Sequence, residues 1–185
     1  QDMLSASSHK FHGPKGCGFL YADKNTGIKP FIYGGGQERG QRSGTENVPG
    51  ILGMVKAAEI SHRIMDENNR KLRKINDYMT DRILNEIDDC ICNGNRENRL
   101  SNNINVSFGN IDGKALLVLL DMEGVYVSGA SACNGGKEKS YVLSSLGVPE
   151  KYAYGTIRMT MDYTMNMKPV SYTHLRAHET RGNIV

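Results

Sequence analysis

The chain has 185 residues, of which 38% are hydrophobic and 23% charged, with 21 glycines and 5 prolines in no repeating pattern. This composition is typical of one or two globular domains and excludes collagen-like and wholly disordered chains. The net charge of +3 is too small to predict a nucleic-acid surface, and the longest apolar run, residues 115–120, is far shorter than a membrane helix, so we expect neither nucleic acid nor a membrane as partner.

The first 33 residues predict two short strands, residues 3–8 and 17–22, separated by the turn-forming sequence HGPKG. They contain no basic segment followed by an apolar core, so we expect no secretory leader. Because the chain also does not begin with Met, we expect that it starts inside a longer protein. A glycine-rich loop at residues 34–47 ends at Asn47, which we predict as a helix cap with Pro49 in the first turn.

Apolar side chains then recur every three or four residues, which predicts either one kinked helix or two helices. Three of them mark a face of the first part and five mark a face of the second: Ile51, Val55 and Ala58, then Leu72, Ile75, Met79, Ile83 and Ile87. After the polar residues 93–103, the pattern predicts a strand at 104–108, helices at 113–122 and 141–146, and strands at 125–128 and 156–161. This order implies an α/β layer.

The last residues, 169–185, show no apolar periodicity and do not continue the preceding pattern. Their run SYTHLRAHET is typical of a translated adapter sequence. We therefore interpret this tail as non-native and exclude it from fold reasoning, with a natural variable terminus as the alternative.

A lysine stands directly after the first predicted strand, beside small hydroxyl residues and a histidine, in the sequence SSHKF. A Schiff-base lysine needs an amine that is held at a fixed point, while hydroxyl and imidazole groups can bind a phosphate nearby. Lys10 is therefore a candidate for such chemistry, with Ser7 and His9 as phosphate donors. Taken alone, the same pattern also fits a solvated lysine near a turn.

The glycine-rich loop GGGQERGQRSGT offers a second set of anion donors. Its glycines allow close approach to an anion, and the donors are Arg39, Arg42, Ser43 and Thr45. The loop matches neither a P-loop nor a dinucleotide-binding fingerprint, so a flexible surface loop is the alternative.

Cys133 lies among glycines and small residues in SGASACNGG, between a predicted strand and a predicted helix. A thiolate on such a loop can be exposed and can travel, although an incidental loop thiol is the alternative. Cys17 and Cys90 lie in or beside apolar runs and are interpreted as small hydrophobic residues. The cysteines form no CxxC pair, so we expect no metal site and free thiols in the reducing cytoplasm.

Arg158 stands within the otherwise apolar strand TIRMT. A guanidinium in such a place needs a partner, and its planar fork suits a carboxylate. That carboxylate belongs either to a substrate or to a neighbouring acidic side chain in a structural ion pair.

Six blocks of sequence stand in a specific order: SSHKFHGPKG, GGGQERGQRSGTENVPG, NNINVSF, SGASACNGG, SYVL and TIRMTM. In order and spacing they resemble the C-terminal portion of the cysteine desulfurases, the NifS- and IscS-like enzymes of the class V aminotransferase superfamily. The resemblance implies an α/β fold that is part of pyridoxal-phosphate fold type I. It places the end of the large domain, with a connecting helix, at residues 1–100 and the small C-terminal domain at 101–168.

The resemblance also implies a cofactor site for pyridoxal 5'-phosphate. Lys10 matches the lysine that carries the cofactor covalently, and Ser7 and His9 match its phosphate-binding neighbours. Thr45 matches the threonine that reaches the phosphate of the other subunit, which implies a homodimer.

The implied reaction removes sulfur from L-cysteine and gives L-alanine. Arg158 matches the arginine that holds the substrate carboxylate, and Cys133 matches the cysteine that becomes a persulfide. The persulfide would pass to an acceptor such as an iron–sulfur scaffold protein. The SxSAC form around Cys133 resembles the branch with the longer mobile cysteine loop.

The family carries two further cofactor contacts in a stretch before this lysine: an aspartate on the pyridine nitrogen and a histidine on the ring. Neither can be in this chain, so we expect the chain alone to be incomplete and inactive. A related lyase or aminotransferase of the same superfamily and a non-catalytic interaction fragment are the alternatives. The SxSAC block argues against a transaminase, which needs no nucleophilic thiol.

Overall fold

The computed structural model describes residues 2–129 and 140–166. Cys133 and the segment 169–185 lie outside these residues, so what the sequence predicts for them stays a prediction. The described residues form two compact units, one ending at Asp66 and the other beginning at Glu67. The functional division at residue 100, which the resemblance implies, also stays a prediction.

The first unit begins with an antiparallel ribbon. Strand β1, Met3–Ser7, pairs with β2, Gly18–Ala22, and Met3 lies opposite Ala22. Both predicted strands are confirmed to within one residue. The ribbon presents apolar groups on both of its faces, because successive strand residues point to opposite sides. The exposed fractions lie between 42% and 54% for Met3, Leu4, Phe19, Leu20 and Tyr21.

A long helix, α1, spans Val48–Glu86 without interruption, so the chain forms one helix here rather than two. Its N-terminus is capped as predicted, because Asn47 Oδ1 accepts a hydrogen bond from the Gly50 backbone N–H at 3.2 Å. In the described part of the chain, neither α1 nor any other helix combines the length and the apolar character needed to cross a membrane.

The two halves of α1 differ in burial. In the second half, all five predicted apolar residues are buried, with exposures of 6% or less: Leu72, Ile75, Met79, Ile83 and Ile87. In the first half, Val55 is 47% exposed and Ala58 is exposed as well. Periodicity identifies the apolar face of a helix, but the neighbouring elements determine whether that face is covered.

In the part that the structure describes, the second unit is built on a three-stranded antiparallel sheet. Its strands are β3, Cys90–Cys92, β4, Asn103–Phe108, and β5, Thr156–Thr160, with β4 in the middle. Alternate residues of β4 and β5 join the second half of α1 in one core, and each buried side chain contributes about 1.5–3 kcal/mol. These residues are Ile104, Val106, Phe108, Ile157 and Met159.

Shorter helices complete this unit. Within the described residues they are α2, Gly113–Met122, α3, Tyr141–Ser145, and α4, Glu150–Ala153. Helix α2 adds Leu116 and Leu120 to the core. The alternation of helices and strands that implied an α/β layer is therefore confirmed for α2, α3 and β5.

The predicted strand at residues 125–128 is wrong. Of these residues only Ser128 pairs, in an isolated bridge with Arg158. Val125 is buried in the core, but the neighbouring Tyr126 is 82% exposed. The alternation here reflects packing of Val125 and Val127 against the core rather than a ladder of hydrogen bonds.

Two short elements, β3 and α4, were not predicted. Segments of three and four residues are too short to show a period, so tertiary contacts define them. For α4 these contacts are visible: Lys151 Nζ and Tyr152 Oη each donate a hydrogen bond to Asp89 Oδ1 at 2.8 Å. The hydrogen bond to the Asp89 carboxylate raises the pKa of Lys151 above its ordinary value.

Candidate active site

The Lys10 segment is a short 3-10 turn, Ser8–Phe11, that follows β1 directly. Backbone hydrogen bonds hold both of its ends: Ser8 N–H donates to the Cys17 carbonyl at 2.9 Å, and Gly13 N–H donates to the Ser8 carbonyl at 3.0 Å. His12 closes the turn in the left-handed region, with φ of 68°. The turn therefore presents Lys10 from a fixed backbone.

Side chains of this turn divide between solvent and interior. Ser7, His9 and Lys10 are exposed, whereas Ser8 is fully buried. The Ser8 Oγ has no hydrogen-bond partner among the described residues. A Cβ atom added at Gly13 would lie only 2.0 Å from that oxygen, so the glycine is required by the close approach of the serine.

This contact gives a testable prediction about the Lys10 turn. We expect Gly13→Ala to lower the free energy of unfolding of the full-length protein by about 1–3 kcal/mol, because the new methyl group overpacks Ser8. Adding Ser8→Ala should restore part of the loss, since the remaining Ser8 atoms lie 3.2–3.3 Å from the new Cβ. Denaturant unfolding of the single and double variants measures the coupling.

The matched control for this prediction is Gly27→Ala. No atom lies within 4 Å of a Cβ added at Gly27, so this exposed substitution should change the stability by less than about 0.5 kcal/mol. Equal stability of Gly13→Ala and the unsubstituted protein would contradict the packing argument. So would a double variant whose loss equals or exceeds that of Gly13→Ala.

The glycine-rich loop holds its shape partly through its own donors. Ser43 Oγ donates to the Gly35 carbonyl at 2.8 Å, and Arg42 Nη1 donates to the Ser43 carbonyl at 3.0 Å. Gly44 N–H donates to Gln37 Oε1 at 3.3 Å. Two of the four predicted anion donors, Ser43 and Arg42, thus serve the loop itself, while Thr45 is exposed at its end.

Arg158 lies half-buried on β5, on the face of the sheet opposite the core. Its backbone exchanges two hydrogen bonds with Ser128, at 2.6 and 3.0 Å. Its side chain lines a cavity of about 620 Å³ together with polar groups of β4 and of the preceding loop. The polar residues that line this cavity with Arg158 include Asn93, Arg99, Asn103, Asn105 and Ser140.

Two residues that flank Cys133 in the sequence line the same cavity. Gly129 and Ser140, the described residues on either side of positions 130–139, both line it. Ser140 also begins α3, and its Oγ accepts a hydrogen bond from Leu143 N–H.

The structure brings some of the predicted site residues together. His9 and Lys10 share the turn, Ser7 ends β1 directly before it, and Thr45 belongs to the same compact unit. Arg158 belongs to the second unit, and Cys133 lies outside the described residues. The residues that line the cavity with Arg158 were not predicted, although the alternation in NINVSF already places Asn103 and Asn105 away from the core.

Cys90 and Cys92 each make contacts within the second unit. Cys90 packs against the core, and its thiol donates to the Ile87 carbonyl at 3.0 Å, which confirms its interpretation as a small hydrophobic residue. Cys92 Sγ accepts a hydrogen bond from Arg99 Nη1 at 3.2 Å. Within residues 2–129 and 140–166, no group of three or more His, Cys, Asp and Glu side chains is placed to hold a metal ion.

Similar proteins cover nearly the whole chain. The chain is 47% identical to the cysteine desulfurase IscS of Dictyoglomus turgidum over 173 residues, which are 93% of this chain and 44% of that protein. It is 46% identical to the cysteine desulfurase IscS of Methanosarcina thermophila over 161 residues, 86% of this chain and 40% of that protein. The chain thus spans less than half the length of these relatives.

Solved structures give the same result. A NifS-like protein superposes with a TM-score of 0.87 at 37% identity, covering 99% of this chain and 47% of that one. A NifS-like protein from Rickettsia africae superposes with a TM-score of 0.84 at 29% identity, covering 98% and 48%. The predicted fold class, part of the α/β fold of these enzymes, is confirmed. Since the profile of the class V aminotransferases matches residues 1–172, the chain belongs to the aminotransferase class V family.

Proposed function

We propose that the full-length protein is a cysteine desulfurase that removes sulfur from L-cysteine, releases L-alanine and carries the sulfur as a persulfide on Cys133. The observation that supports this most directly is the cavity beside Arg158. Its lining includes a guanidinium suited to a carboxylate and both described ends, Gly129 and Ser140, of the segment that contains Cys133. The reaction needs a carboxylate-binding group and a nucleophilic thiol near one substrate molecule.

The first unit fits the pyridoxal phosphate on which this family depends. Lys10 stands on a turn held at both ends, with Ser7 and His9 exposed beside it. Hydroxyl and imidazole donors suit a phosphate. We assign Lys10 to covalent attachment of the cofactor, and Ser7, His9 and Thr45 to its phosphate.

Each residue has its own task in the proposed mechanism. Bound pyridoxal phosphate supplies an electron sink for the substrate carbon. Arg158 binds the substrate carboxylate by paired N–H···O bonds and fixes its orientation. The Lys10 amine, once released, accepts and returns the proton at the substrate Cα.

Cys133 carries out the sulfur chemistry. Its thiolate attacks the substrate sulfur, so that a sulfur–sulfur bond forms as the carbon–sulfur bond breaks. The electron pair left on carbon takes up a proton, which gives alanine. A thiolate on a segment of glycines and small residues suits both the attack and delivery to a second protein.

Exposed apolar residues support a larger assembly. Phe31 and Tyr33, just before the glycine-rich loop, are 93% and 80% exposed, and Leu52 on α1 is 65% exposed. Groups of exposed apolar side chains mark interaction surfaces. We propose that the rest of the protein and a second subunit cover these apolar residues, and that Thr45 reaches the cofactor phosphate of that second subunit.

We also propose that an iron–sulfur scaffold or similar acceptor protein takes the sulfur of the persulfide in the cytoplasm.

The test of this function is alanine formation from L-cysteine by the full-length protein, with Arg158→Ala and Arg158→Lys beside it. We expect the KM for L-cysteine to rise by about 10- to 100-fold in Arg158→Ala, because a charged hydrogen-bonding pair is lost. The KM of Arg158→Lys should lie between those of the unsubstituted enzyme and Arg158→Ala, since lysine keeps the positive charge but not the planar pair of N–H donors.

Arg63→Ala is the matched control, because Arg63 is exposed on α1 and should leave the KM unchanged. No alanine from L-cysteine, with transfer of amino groups between other substrates instead, would favour an aminotransferase over a desulfurase. An unchanged KM in Arg158→Ala would remove Arg158 from the substrate site.

A further inference from the structure

The cavity beside Arg158 is walled by the polar face of the three-stranded sheet. Asn105 on β4 lies directly opposite Arg158 on β5 in the register. Residues paired in this way share a face, with Cβ atoms about 4.5–5.5 Å apart. Both side chains line the cavity, so Asn105 is a polar neighbour of Arg158 within it.

The side-chain amide of Asn105 has a defined orientation. Its Oδ1 accepts a hydrogen bond from Asn93 Nδ2 at 2.7 Å. Asn93 directly follows β3, which flanks β4 on the side opposite β5. Because Oδ1 of Asn105 is engaged on the β3 side, its Nδ2 is left as a donor on the side where Arg158 lies.

A buried network holds Asn93 in place. Asn93 is only 4% exposed, and its Nδ2 also donates to Ser107 Oγ at 2.7 Å. The Ser107 hydroxyl is hydrogen-bonded in turn to Thr156 Oγ1 at 2.6 Å. This network fixes the Asn93 amide, and through it the orientation of Asn105.

Two groups of this network have no hydrogen-bond partner in the part of the chain that the structure describes. One is Asn105 Nδ2, the free donor of a residue that lines the cavity. The other is Asn93 Oδ1, which is buried. A buried, unpaired amide oxygen is unfavourable, and packing alone would be served better by apolar residues. The network therefore holds this polar face of the sheet at some cost in stability.

We propose that Asn105 is a second binding residue for the carboxylate that Arg158 holds, and that Asn93 is the positioning residue that aims the Asn105 amide. This inference rests on the proposed function, because the ligand is the carboxylate of the amino-acid substrate. A carboxylate offers about four acceptor sites, so one guanidinium leaves room for a neutral amide donor. The pair makes the site selective for an amino acid over an amine that lacks the carboxylate.

The test is calorimetric titration of the full-length holoenzyme with L-alanine and with ethylamine. L-Alanine has the carboxylate and amine of the proposed substrate without its reactive sulfur, and ethylamine lacks the carboxylate. We expect Asn105→Ala to weaken L-alanine binding by about 10-fold or more, the loss of one hydrogen bond to a charged group. Ethylamine binding should be unchanged. Asn105→Asp, which still accepts from Asn93 but repels a carboxylate, should weaken L-alanine binding further.

Asn103→Ala is the matched control, since Asn103 stands on the same strand and lines the same cavity but lies opposite Thr160. We expect it to change L-alanine binding by less than about twofold. Equal binding of L-alanine by Asn105→Ala and the unsubstituted enzyme would overturn the inference, as would an equal loss in Asn103→Ala. A different result would contradict the proposed function itself: Arg158→Ala would then bind L-alanine as tightly as the unsubstituted enzyme. Thermal unfolding of each variant separates loss of binding from loss of fold.

Discussion

Lys10→Ala in the full-length protein is expected to abolish the borohydride-trapped adduct with pyridoxal phosphate. The reason is chemical: reduction fixes a bond between the cofactor and an amine, and the proposal assigns that amine to Lys10. Alanine formation from L-cysteine should fall on the order of 10²–10⁴-fold as well, because the same amine moves the substrate proton. Absorbance and mass of the reduced protein measure the adduct.

Lys24→Ala provides the matched control. Lys24 is an exposed lysine of the same unit, in the turn after β2, so its loss should leave both adduct and activity unchanged. An undiminished adduct in Lys10→Ala would refute the assignment. An adduct lost from both variants would point to general damage of the unit, which the unfolding transition would reveal.

Cys133→Ser is expected to separate the two halves of the reaction. The variant should still bind pyridoxal phosphate and L-cysteine, because Lys10 and Arg158 are intact. It should form no persulfide and pass no sulfur to an acceptor, because a serine hydroxyl is not a thiolate nucleophile at neutral pH. Sulfur-35 cysteine, followed by mapping of the labelled peptide, measures where the sulfur resides.

Cys17→Ser is the matched control for this variant. Cys17 lies next to the first turn of α1, where Asn47 Nδ2 is 3.5 Å from its Sγ, and its loss should leave the labelling pattern unchanged. Label that persists in Cys133→Ser, or that appears on another cysteine of the unsubstituted enzyme, would refute the role of Cys133.

The order of chemical motifs was readable from the sequence because each motif lies within a few residues. SSHKF holds Ser7, His9 and Lys10 within four positions, and in the structure Ser7 ends β1 while His9 and Lys10 lie on the turn that follows it. Thr45 and Arg158 were predicted in the same way, from short blocks. Asn105 was not predicted, because its proposed role depends on pairing with Arg158 of strand β5, which lies more than 50 residues away in the chain.

Local pattern also determined most elements of the fold. Asn47 caps α1 through a hydrogen bond to Gly50, three residues later, and the five apolar residues of the second half of α1 are buried as their spacing predicts. Such features depend on contacts between near neighbours or on a period repeated over several turns.

Tertiary structure alone decided the features that join distant segments. Strand β3 forms because β4 pairs with it. Helix α4 is held by a hydrogen bond from Tyr152 to Asp89. Residues 125–128 contribute a single bridge instead of a strand. In the first half of α1, Val55 and Ala58 follow the same spacing of three or four residues as the second half, yet they are exposed. The physical reason is the same in each case: pairing and burial depend on which surfaces meet, and a sequence pattern only shows which surfaces are available to meet.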